Sequence, residues 1–89
     1  MEQKHSLKRN DESLRYELRV GDQLAAFVDF LEVGGVVELP HTETLPDFRG
    51  QGLAAQVVDF ALDEIAAAGH EVRATCPFAA ERLAARGAQ

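Results

Sequence analysis

Apolar and polar residues alternate near the start of the chain. Leu14, Tyr16, Leu18 and Val20 are separated by Arg15, Glu17 and Arg19, the period of a half-buried strand. Gly21-Asp22 supplies a turn. Residues 24–33 read as a second strand, with Ala26, Val28 and Phe30 on one face and Phe27, Asp29 and Leu31 on the other. Gly34-Gly35 is a hairpin signal, so residues 36–44 are expected to run back antiparallel. Pro40 interrupts this third strand. Lacking an N–H, it predicts an edge position, a bulge, or a place where two strands separate.

The period then changes. Leu53, Ala54, Val57, Val58, Ala61, Leu62, Ile65 and Ala66 fall at helical spacing as one apolar stripe. Asp59, Asp63 and Glu64 lie off the stripe and read as a solvated face, and Gly69 is a natural terminator. Residues 72–76 form a short fourth strand, followed by Pro77 and a last helix over residues 79–86. The order β-β-β-α-β-α predicts an α+β single domain. Its sheet is expected to be mixed: an antiparallel meander, plus one parallel strand reached by a right-handed β-α-β crossover. Residues 1–13 are polar and read as a loose lead-in or a weak edge segment before a domain over residues 14–89.

Composition narrows the possibilities. Eighty-nine residues, 46% of them apolar and 27% charged, suit one small globular domain. Nine basic against fifteen acidic residues leave a net charge of −6, which argues against a general binder of nucleic acid or anionic membrane. A lone cysteine excludes an internal disulfide, and the first residues carry no apolar signal region, so a cytoplasmic protein is expected. No run approaches the roughly 20 apolar residues needed to cross a bilayer. The three histidines and one cysteine show no metal-ligand spacing. Nothing in the pattern specifies an oligomer.

Arg49-Gly50-Gln51-Gly52-Leu53-Ala54 follows a strand and opens the long helix. Two glycines allow backbone to approach a ligand closely, the first helical turn offers free N–H groups, and Arg49 adds a donor suited to phosphate. The loop reads as an anion cradle, most simply for a pyrophosphate, or as a tight strand-to-helix turn. It has neither the Gly-Lys-Ser/Thr of a P-loop nor the third glycine of a dinucleotide fingerprint, since position 55 is Ala.

Arg49-x-x-Gly52-x-Ala54 resembles the acetyl-CoA pyrophosphate motif of the GNAT superfamily of N-acetyltransferases. With His41-Thr42 ahead of it and Cys76-Pro77 after the next strand, the chain is similar to a compact, stand-alone GNAT-like subgroup of about this length. The resemblance covers residues 14–78. Where the subgroup often continues with a tyrosine and a His-Pro-Glu segment, this chain has Ala80-Glu81-Arg82-Leu83-Ala84-Ala85-Arg86-Gly87.

The resemblance implies that acetyl-CoA binds with its pyrophosphate over Arg49, Gly50, Gln51, Gly52, Leu53 and Ala54. Its pantetheine arm would run along the strand that contains Pro40. It also implies catalytic positions. Cys76 would lie near the thioester, as an acyl-accepting nucleophile activated by His41 on the neighbouring strand or as an acid for the leaving thiolate. His41 and Glu43 would share base duty through water, because alternate residues of a strand face one way. Each has a plainer reading: Cys76 as a small buried hydrophobe, His41 as a structural histidine, Glu43 as a solvated carboxylate. The expected function is acetyl transfer to an amine, on a small molecule or a protein lysine, directly or through Cys76. The alternative is a non-catalytic CoA or acyl-CoA binding module.

Overall fold

A computed structural model describes residues 4–87. The chain forms strands β1 (His5–Asn10), β2 (Arg15–Val20), β3 (Gln23–Asp29), β4 (Leu31–Val33), β5 (Val36–Leu39) and β6 (Thr42–Thr44). A 3-10 turn (Pro46–Phe48) leads to helix α1 (Leu53–Ala67), and strand β7 (Glu71–Ala74) leads to helix α2 (Pro77–Gly87).

The α+β class and the crossover are as expected: β5 and β7 pair in parallel, Val36 opposite Glu71 through Leu39 opposite Ala74, with α1 between them. The sheet differs from one continuous ladder. It is divided into an antiparallel group in the order β1-β2-β3-β6 and a mixed group in the order β4-β5-β7. The two expected long strands each break once, at Phe30 and at Pro40-His41. Across the break the pairing slips by one residue, from Leu31 opposite Glu38 to Val28 opposite Thr42. Asp29 N–H donates to His41 O at 2.8 Å and joins the two halves. Pro40 supplies no donor here, so the slip costs no ladder bond.

His5–Asn10, within the polar lead-in, is an edge strand paired antiparallel with β2. Its Lys8 and Arg9 charge that edge and discourage pairing with another chain. The turn after it places Leu14 at φ 55°, and Leu14 O accepts from Phe30 N–H at 3.0 Å.

The core lies between the inward face of the antiparallel sheet and α1. Tyr16, Leu18, Ala26 and Val28 are fully buried against a helical face of Leu53, Val57, Val58, Ala61, Leu62 and Ile65. Burying each larger aliphatic side chain contributes about 1.5–3 kcal/mol, so this one interface carries most of a thin core. The Tyr16 ring packs on Phe30 and Phe60 with centroids 5.1 and 6.0 Å away. Ala54 and Ala66, counted on the stripe, are half-buried and exposed, because they sit on its margins. Asp59 and Asp63 are not merely solvated. Arg82 Nε binds Asp59 Oδ1 at 3.1 Å, and Arg86 pairs with Asp63, so these carboxylates tie α2 to α1.

Gly69 ends α1 as expected, with φ 78°: Gly69 N–H reaches Ala66 O and His70 N–H reaches Ile65 O, the paired bonds of a Schellman cap. No helix among the described residues is long and apolar enough to cross a membrane.

Candidate functional site

The glycine loop runs from the 3-10 turn into α1. Gly50 has φ 83°, and Gly52, the N-cap residue of α1, has φ 74°. Both conformations favour glycine. No atom lies within 4 Å of where a Cβ would sit at either position, so the space above the loop is open. Gly52 brings no side chain to cap the helix, and the first turn has no acidic residue. The N–H groups of Leu53, Ala54 and Ala55 therefore carry the unmet donors and partial positive charge of a helix start. Arg49 is exposed, with Nε reaching Thr44 O at 3.4 Å, which keeps its guanidinium beside the loop. These residues fit a pyrophosphate: donors without acceptors, one cation, and room that a side chain at 50 or 52 would fill.

The second component is a slot between the parallel strands. Their pairing stops at Leu39, whose carbonyl accepts from both Thr75 N–H (3.2 Å) and Cys76 N–H (3.0 Å). Beyond it, β6 turns away to pair with β3, while the other strand passes into α2. Of the three readings open for Pro40, the structure has the bulge and the separation together.

Cys76 stands at the mouth of this slot. Its carbonyl accepts from Ala80 N–H at 2.9 Å, and Pro77 is the first residue of α2, a favoured place for proline. Cys76 is only 8% exposed, and its Sγ is 3.4 Å from Thr42 Oγ1. Burial pushes the Cys76 thiol up. The hydrogen bond with the Thr42 hydroxyl and those with the N–H groups of Ala79, Phe78 and Thr42 outweigh it, leaving the pKa below the ordinary thiol value.

His41 and Glu43 form a second pair, with Nε2 to Oε1 at 3.0 Å. The Glu43 carboxylate is the main reason that the imidazole's pKa is raised above its ordinary value, with Asp29 adding to it. Both side chains are about half exposed. Strand alternation separates the two pairs. Thr42 lies opposite Val28 on the α1 side of the sheet, whereas Glu43 lies opposite Phe27 on the outer side. The His41 ring centre is 6.1 Å from that of Phe27. Among the described residues no hydrogen bond joins His41 to Cys76. The structure thus brings together His41 with Glu43 and, separately, Cys76 with Thr42, on either side of one strand.

The sequence carries the His41-Thr42 pair but does not by itself mark Thr42 as a partner of the thiol. The signal for the Cys76 environment was present too: a residue before proline at the start of an apolar-periodic run is an N-cap candidate. Among the described residues no group of histidines, cysteines or carboxylates is arranged to hold a metal ion.

Together these elements are a strand–glycine loop–helix on an α+β sheet, with two parallel strands that part after Leu39. Residues 15–87 match the family model described as GCN5-related N-acetyl-transferase. The match spans well over half of the chain, and the protein belongs to that family. Among solved structures, it is similar to the ribosomal-protein-S18-alanine N-acetyltransferase from Escherichia coli, at 25% identity and a TM-score of 0.55. That alignment covers 63% of this chain and 36% of that one, so the chain spans little more than a third of its structural relative. No curated protein matches it in sequence.

Proposed function

We propose that this protein transfers the acetyl group of acetyl-CoA to an amine acceptor in the cytoplasm. The observation that supports the reading is the parting of the parallel strands after Leu39, with Cys76 following one strand and His41 the other, on a chain whose α1 begins with open N–H groups at the glycine loop. Arg49 and the backbone of Gly50, Gln51, Gly52, Leu53 and Ala54 would hold the pyrophosphate. The residues flanking Pro40 would take the pantetheine arm. When bound, acetyl-CoA supplies an acyl group already activated as a thioester.

The chain's own residues divide the remaining work. His41, neutral above its raised pKa, accepts a proton from the attacking amine directly or through water, and Glu43 stabilises the imidazolium that results. Cys76, whose hydrogen bonds bring its pKa below the ordinary thiol value, can in its protonated form serve as the acid that protonates the departing CoA sulfur. A second route is favoured by the same donors at Cys76: the thiolate takes the acetyl group as a thioester and then yields it to the amine.

One experiment addresses both. Free-thiol release from acetyl-CoA is followed across a panel of primary amines, and intact-protein mass is recorded before amine is added. Amine-dependent release is the expected result. Release at the uncatalysed rate with every amine would overturn the transfer reading and leave a CoA-binding module. A stoichiometric acetyl adduct on Cys76, discharged by amine, selects the relay; turnover with no adduct selects direct attack.

A further inference from the structure

On the outer face of the antiparallel sheet, Glu17 is buried completely, although among the described residues no helix covers that face. Side chains cover it instead. Arg15 Nε binds Oε2 at 2.8 Å, Asn10 Nδ2 binds Oε2 at 3.0 Å, and Arg19 Nη2 binds Oε1 at 3.2 Å. Two guanidiniums therefore share one carboxylate, and this island keeps a positive charge in a molecule of net −6. A buried carboxylate is a poor source of stability, because its desolvation offsets most of the attraction. What it does well is fix the geometry of the groups bound to it.

Arg15 is held a second time. Its Cζ stands 4.7 Å from the centre of the Phe27 ring. Phe27 neighbours His41 on its other side, with centroids 6.1 Å apart. The sheet face is thus polarised. Lys8, Arg15 and Arg19 lie on the β1–β2 side, Asp29, His41 and Glu43 lie on the β3–β6 side, and Phe27 is between them. The terminal nitrogens of Arg15 form no hydrogen bond among the described residues, and its side chain is about a quarter exposed.

We propose that this polarised face is the acceptor-binding platform and that it selects an amine carrying a carboxylate at its far end. The ammonium end is drawn to Asp29 and Glu43, where His41 takes its proton. The apolar middle crosses Phe27, and the carboxylate meets the free edge of the Arg15 guanidinium, a planar fork suited to it. Glu17 is a positioning residue: it holds both arginines from below and touches no ligand. The proposal rests on the acetyl-transfer reading for its chemistry, but its binding preference can be measured without turnover.

Three probes of equal length separate the possibilities: aminohexanoate, hexylamine and hexanediamine. Their binding is measured by NMR titration of the Arg15 and Arg19 side-chain signals, in parallel with thiol release. Aminohexanoate is expected to bind about tenfold more tightly than hexylamine, the worth of one charge-assisted pair. Arg15→Gln should bring that ratio close to one. Because this variant leaves Glu17 short of a partner, the double variant Arg15→Gln with Glu17→Gln provides a second measurement with the same expectation. Equal affinity for the three probes, preference for hexanediamine, or a ratio unchanged in both variants would overturn the proposal. A carboxylate preference with no thiol release from any amine would support the platform while refuting acetyl transfer.

Discussion

Two side chains one position apart from Thr42 govern how the candidate base behaves. Glu43 accepts a hydrogen bond from His41 and thereby holds its proton more tightly. Since the imidazole must be neutral to act as a base, the acid limb of kcat/KM against pH should lie above the ordinary histidine value. Glu43→Gln removes the stabilising charge, so the limb should move to lower pH, and a pH–rate profile of the two proteins checks this. A limb that stays in place would mean that His41 does not report on the reaction. The motif residues His41, Glu43 and Cys76 could all be named from the sequence. Their grouping could not, because it depends on alternation across a strand broken by Pro40, and that break was readable only as one of three options.

At the scale of elements, α1 was the clearest feature in the sequence, and the structure keeps its stripe almost unchanged. Glycine brackets it at both ends, with Gly52 at φ 74° and Gly69 at φ 78°, and neither has an atom within 4 Å of a would-be Cβ. Alanine at either position should therefore cost about 1 kcal/mol through backbone strain alone. In a domain of this size that lowers Tm by roughly 4–8 °C. Only Gly52→Ala, which places a methyl group in the cradle, should also weaken CoA binding; Gly69→Ala should not. Calorimetric titration beside thermal melts separates the two, and equal CoA affinity in both variants would argue that Gly52 serves the turn alone. The strands were harder to read. Residues 24–33 and 36–44 alternate well enough to pass for unbroken strands, and a one-residue slip in pairing leaves no trace in composition. The edge strand His5–Asn10 was hidden for a related reason: exposed on nearly every residue, it shows no apolar period.

At the scale of the whole molecule, the hidden carboxylate has the widest reach. Burial pushes the Glu17 carboxyl up, but bonds from Arg15, Asn10 and Arg19 outweigh it and leave the pKa below the ordinary carboxylate value. A group depressed in the folded state adds stability above its unfolded pKa, and this is lost as pH falls through the folded one. Denaturant midpoints should therefore drop on acidification below the ordinary carboxylate range. Glu17→Gln should be less stable at neutral pH and show a shallower acid slope; an identical slope would remove Glu17 from the account. The pattern Arg15-x-Glu17-x-Arg19 was visible as the polar side of a strand, which ordinarily means solvent. That these side chains bury one another follows only from the neighbouring strands, which supply Asn10 and Phe27.

The doubly used carbonyl of Leu39 has a consequence for how ligands arrive. It takes both N–H groups that follow β7, Pro40 has none to offer, and His41 O is met by Asp29. These backbone groups are thus served without a rung between the two strands beyond Leu39. The opening is a resting feature of the fold, and no rung has to be broken to enter it. An incoming thioester arm spends none of its binding free energy on prising the sheet apart. Capture should follow a single exponential that scales with ligand concentration, with no slow gating phase, as befits a keyhole that was never shut.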